Sequence, residues 1–127
     1  MNRYVSLGLA MLAGAALSSG INALHAQGKA AGAYAVLDIS EIVDPGAMKD
    51  IVAKAGAAVK ASGGQYLART DKVTALSGGT PPKRFVIIGF DSVDAAKAWY
   101  SSPAQTEVNA VADKALKQRW FIVDGAL

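Results

Sequence analysis

Tyr66 and Arg69 stand three residues apart in Gln65-Tyr66-Leu67-Ala68-Arg69. A phenol beside a guanidinium can hold an anion or polarise a carbonyl. On a regular strand this spacing sends the two to opposite faces, and a β-bulge between them is what would bring them together. The plainer alternative is an ion pair from Arg69 to Asp71 or Asp91, with the tyrosine ring packed on a helix. Trp99 and Tyr100 are adjacent and suit the aromatic wall of a pocket, Tyr100 adding a hydroxyl, although rings at helical spacing also serve simply as core. Arg84 and Arg119 each precede an apolar run, where a guanidinium either takes a carboxylate at a pocket mouth or solvates a strand end. Asp38 sits in an otherwise apolar stretch, so burial would demand a partner for it. The candidate ligand-binding set is therefore Asp38, Tyr66, Arg69, Arg84, Trp99, Tyr100 and Arg119.

What the chain lacks narrows its chemistry further. It has no cysteine and a single histidine, His25. Met1-Asn2-Arg3 is a short positive start, Tyr4 to Leu17 is an uncharged and mostly apolar run, and small or polar residues follow to Ala26. This is the layout of a secretory signal peptide, and the run is shorter than the roughly 20 residues of a spanning helix. Cleavage after Ala26 leaves Leu24 two positions before the last residue, a weaker match than Ala-x-Ala. Residues 1–26 are thus expected to be a signal peptide, 27–33 a flexible lead-in and 34–125 the folded domain, placed in the bacterial periplasm or secreted and free of the membrane after signal removal.

Loss of residues 1–26 removes Arg3 and His25, leaving 12 Lys plus Arg against 10 Asp plus Glu, a net charge of +2. Basic residues so few and scattered make no footprint for nucleic acid. The remaining domain has neither Cys nor His, which removes thiol nucleophiles, Ser-His relays, His-bound zinc or haem, and disulfides. Gly78-Gly79 is followed by no Lys-Ser/Thr and belongs to no phosphate loop. No cofactor and no metal are expected.

The elements that must position the candidates follow from periodicity. Tyr34 to Ser40 alternates as a first strand. Asp44-Pro45 starts a helix with a capping side chain and a proline at its first position. Met48, Val52, Ala55 and Val59, with Ile51, form its apolar stripe, and Gly63-Gly64 ends it. Gln65 to Leu76 reads as a bent or hairpin-like strand pair broken near Asp71-Lys72, and Ser77 to Pro82 as a loop. Arg84 to Phe90 is nearly unbroken apolar and reads as a strand buried on both sides, with Ser92 capping the next helix. Ser102, with Gln105 three residues on, fits a capping box for a further helix whose stripe is Val108, Val111, Ala112 and Ala115. Trp120 to Val123 is the last strand.

Two split βαβ units in this order predict an α+β ferredoxin-like sandwich, a four- or five-stranded antiparallel sheet with helices on one face. The other face would then expose more apolar area than a monomer tolerates, so a homodimer pressing sheet on sheet is expected.

Gly63-Gly64-Gln65-Tyr66-Leu67-Ala68-Arg69, Pro82-Lys83-Arg84, Phe90-x-Ser92-x-x-x-Ala96-x-x-Trp99-Tyr100-x-Ser102-Pro103 and Val123-Asp124-Gly125 together resemble the bacterial family catalogued as domain of unknown function 1330. The likeness runs from about Tyr34 to Gly125. It implies the dimeric α/β barrel, in which two ferredoxin-like subunits pair through their sheets, and it implies no activity. The chain departs from the family pattern at Ser77-Gly78, where Glu-Gly is common, and at Gln105, where an aromatic is common. Relatives in the wider barrel superfamily include cofactor-free oxygenases, haem-degrading enzymes and isomerases. Two readings of function stand side by side. One is a non-catalytic exported dimer that binds a small anionic or aromatic molecule. The other is a cofactor-free oxygenase or isomerase using Tyr66 or Asp38 for proton transfer and Arg69 for an oxyanion.

Overall fold

The structure, a computed structural model, describes residues 31–125. The expected signal peptide and most of the lead-in lie outside these residues. Strand β1 (Ala33–Ile42) leads through a 3₁₀ turn (Pro45–Ala47) into helix α1 (Met48–Ala61), then β2 (Gln65–Thr70), β3 (Arg84–Phe90), α2 (Val93–Tyr100), α3 (Pro103–Ala115) and β4 (Leu116–Asp124). The sheet order is β2-β3-β1-β4, and every neighbouring pair is antiparallel. Helices cover one face, as the ferredoxin-like pattern requires.

Local chemistry explains most boundaries. The Asp44 carboxylate accepts from the Gly46 amide at 3.0 Å, which tightens the entry into a 3₁₀ turn and delays the α-helix to Met48. Gly63 ends α1 with φ +79°, the left-handed region in which a glycine costs nothing. Ser92 Oγ accepts from the Ala95 amide at 3.0 Å and starts α2.

Three expectations need correction. Gln65 to Leu76 yields only one strand, β2, because past Thr70 the apolar alternation has no partner strand to satisfy it. Strand β4 begins at Leu116, four residues before Trp120, paired to β1 across a bulge between Ile39 and Glu41. Val111 is exposed, and the buried stripe of α3 is Gln105, Val108, Ala112 and Ala115. That stripe admits a polar residue which a purely apolar pattern skips.

The core lies between sheet and helices. Ala35, Leu37 and Ile39 from β1 and Val86, Ile88 and Phe90 from β3 meet Ile51 and Val59 of α1, Ala96 and Trp99 of α2, and Val108, Ala112 and Ala115 of α3. The opposite face carries Val36, Phe85, Ile87, Phe121 and Val123, as the strand registers dictate. Phe121 and Val123 are almost half exposed there, and no helix among the described residues covers them.

Candidate functional site

The registers align side chains in rows across the helix-covered face. Arg69 pairs with Val86, Val86 with Leu37, and Leu37 with Trp120. Arg84, Ile39 and Gln118 form the adjacent row. Each row carries a guanidinium toward the β2–β3 side, aliphatic groups in the middle, and an indole or amide on β4. Helices α1 and α3 roof these rows with Ile51, Val52, Ala55, Gln105, Val108 and Asn109. Between floor and roof lies a half-enclosed, mostly apolar cavity of about 60 Å³.

Tyr66 and Arg69 share this cavity because β2 bulges. Tyr66 faces Ile88 and Arg69 faces Val86, while the register slips between Tyr66 and Ala68. The extra residue lets positions three apart point to the same side. The Arg69 Cζ sits 4.4 Å from the centre of the Tyr66 ring. Burial pushes the Tyr66 phenol above its ordinary 10.0, partly opposed by the Arg69 charge. Neither Arg69 nor Arg84 forms an ion pair among the described residues.

Trp99 is almost wholly buried and packs edge-on against Trp120, with ring centres 5.2 Å apart at 71°, and in a tilted stack at 32° against Phe90. Both indole Nε1 atoms are buried without a hydrogen-bond partner. So is Oε1 of Gln105, a residue only 1% exposed. The capping box is half formed. Ser102 Oγ accepts from the Gln105 amide at 3.3 Å, but the Gln105 side chain donates to Asn109 Oδ1 at 3.0 Å. Ser102's own amide is already bound to the Trp99 carbonyl at 3.0 Å, so the carboxamide is free to join the cavity lining.

Of the seven residues singled out from the sequence, the cavity brings together Tyr66, Arg69, Arg84 and Trp99. It does not include the other three. Asp38 and Arg119 lie on the helix-free face, where Arg119 donates to the Asp38 carboxylate at 3.0 Å and its Cζ lies 5.2 Å from the Phe121 ring centre. Tyr100 stands at the β4 edge beside a separate shallow depression, touching Trp99 and Trp120 edge-on. Gln105, Asn109, Gln118 and Trp120 line the cavity and were missed. The signal for Gln105 was present: a polar residue in register with Val108 and Ala112 on one helix face.

The model of the family described as Domain of unknown function (DUF1330) matches residues 32–126. The chain belongs to that family. Among solved structures it is similar to RPA0582, a protein of unknown function from Rhodopseudomonas palustris, at TM-score 0.61 and 15% identity over 87% of this chain and 95% of that one. It is similar to a dimeric ferredoxin-like protein of unknown function from Thermobifida fusca, at TM-score 0.55 and 15% identity over 76% and 92%. It also resembles SnoaB, a cofactor-independent oxygenase from Streptomyces nogalater, at TM-score 0.55 and 12% identity over 77% and 96%. At these identities the likeness establishes the DUF1330 chain's ferredoxin-like fold and nothing further. No curated protein matches it in sequence.

Proposed function

We propose that this DUF1330 protein is an exported homodimer that holds a small anionic or aromatic molecule between its sheet and its helices, without transforming it. The observation that carries the binding reading is the half-enclosed cavity whose lining includes Arg69 and Arg84, two guanidiniums with no carboxylate partner among the described residues. The two unpaired guanidiniums favour an anion, and the indole rings favour a flat body.

Proton transfer, which an oxygenase or isomerase would need, finds little support. Asp38 is on the other face and already paired. Tyr66 keeps its proton at neutral pH, because burial raises its pKa, so it serves as a donor rather than a base.

The dimer rests on the uncovered apolar face, whose ion pairs, Asp38–Arg119 and Glu41–Lys117, are already internal. The fold-mate from Thermobifida fusca is described as dimeric. Export rests on the character of residues 1–26, and the intact mass of periplasmic material, short of that segment, checks it. The binding reading is tested by thermal shift of the purified protein against a panel of small carboxylates and single-ring aromatics. Several compounds are expected to raise Tm in proportion to the logarithm of their concentration. A panel that moves nothing overturns the reading.

A further inference from the structure

The cavity has a cationic mouth and a hydrocarbon interior, and its size limits what enters. Among the residues that line it, Arg69 alone is exposed, so the cavity meets solvent there. Arg69 pairs with Val86 across β2 and β3, and Arg84 stands two residues before Val86 on the same side of β3. The two arginines are thus diagonal neighbours, about 7–8 Å apart at the backbone, a gap their long side chains can close around one anion. The Arg69 guanidinium rests over the Tyr66 ring, 4.4 Å from its centre, and neither arginine has a carboxylate partner among the described residues. Behind them the walls are Leu37, Ile39, Ile51, Val86 and Val108, all buried. An apolar cavity of roughly 150 Å³ takes the six carbons of benzene, so about 60 Å³ takes roughly two or three carbons of chain and no ring.

Resting on the binding reading, we infer that the ligand is a short aliphatic monocarboxylate of about three or four carbons. Its carboxylate sits at the mouth between Arg69 and Arg84, and its tail lies against Val86 and Leu37. Guanidinium and carboxylate make charge-assisted bonds, stronger than neutral ones. Each methylene the tail takes out of water is worth roughly fourfold in affinity. A longer chain or a ring overfills the interior and lifts the carboxylate away from the arginines.

The test titrates the purified protein at constant ionic strength and follows backbone amide signals by nuclear magnetic resonance, which reads weak binding directly. The probes are acetate, propionate, butyrate, pentanoate, hexanoate, benzoate and propionamide. Affinity is expected to rise roughly fourfold per carbon from acetate to an optimum at propionate or butyrate, then to fall. Propionamide should bind at least about tenfold more weakly than propionate. The double variant Arg69→Gln, Arg84→Gln should erase that gap. Val86→Ala deepens the cavity by two methyl groups and should move the optimum to a longer acid, a gain that a damaged fold does not produce. Equal affinity from acetate to hexanoate, tightest binding of hexanoate or benzoate, or an optimum unmoved by Val86→Ala overturns this inference and leaves the binding reading standing. No binding of any straight-chain acid, beside Tm shifts from aromatic members of the panel, overturns it equally. Silence from both experiments removes the binding reading itself.

Discussion

The Arg69 guanidinium lies over the ring of Tyr66, with Cζ 4.4 Å from the ring centre, although a regular strand would put the two residues on opposite faces. The register slip between Tyr66 and Ala68 makes this possible. Leu67 is the residue displaced, and its side chain lies close to Gly89 on the open face. One bulge therefore supplies both a donor pair inside the cavity and an aliphatic group outside it.

That pairing has a pH signature. Burial raises the folded Tyr66 pKa above the ordinary 10.0, while Arg69 draws it back. Below pH 10 both folded and unfolded chains keep the proton, and the contribution to stability is fully present. Above 10.0 the unfolded chain gives up its proton first, so stability falls as pH climbs toward the folded pKa. Arg69→Gln should move the phenol's titration higher still, read by ultraviolet absorbance. A shift downward would mean that the cation does not face the ring.

Gln105 invites a substitution that reads the cost of a buried, unpartnered acceptor. Replacing it with Leu removes an orphaned acceptor and fills similar volume, and the Asn109 amide left behind is only half-buried. Denaturant unfolding of Gln105→Leu should show stability unchanged or higher by about 1 kcal/mol. Trp99→Ala, at a site just as buried, should lose about 3–5 kcal/mol, the usual cost of emptying a large aromatic site.

Two glycines predict opposite signs. A Cβ at Gly64 would come within 2.7 Å of the Phe90 ring and 3.0 Å of Val59 Cγ1, both core groups. Gly64→Ala should destabilise by about 1–3 kcal/mol through overpacking. Gly56, inside α1, has nothing within 4 Å of its Cβ position. Gly56→Ala should stabilise by about 0.5–1 kcal/mol, because alanine loses less backbone freedom in a helix. Thermal unfolding of the two variants decides between these signs.

Phe121 tests the proposed pairing of sheets. It is nearly half exposed on the helix-free face beside Val123, so the isolated fold does not depend on it. Phe121→Glu should halve the mass seen in sedimentation while the far-ultraviolet dichroism stays unchanged, since a buried, unpartnered carboxylate at an interface is costly. An unaltered mass of two chains would place the contact elsewhere.

Much of the architecture was legible in the residue pattern because its signals are local. The glycine stop after α1, the Ser92 and Ser102 caps and the apolar run of β3 all act within one turn or one strand. The single strand at Gln65–Thr70 was less so, since whether alternation becomes a strand depends on an available edge. Of the site, Tyr66, Arg69, Arg84 and Trp99 were singled out by residue type alone. Asp38 and Arg119 shared those types, yet the register places them on the other face.

By itself the sequence determined which chemistries are closed to residues 27–127, where no thiol or imidazole exists, and it determined the order of strands and helices through short-range capping and periodicity. Only the tertiary structure decided which side chains meet. Facing in a sheet depends on register, and one extra residue at Leu67 reverses it for everything beyond. The cavity likewise depends on long-range packing: residues of β1, β2, β3 and β4 floor it while residues of α1 and α3 roof it, a meeting that no single window of the chain displays.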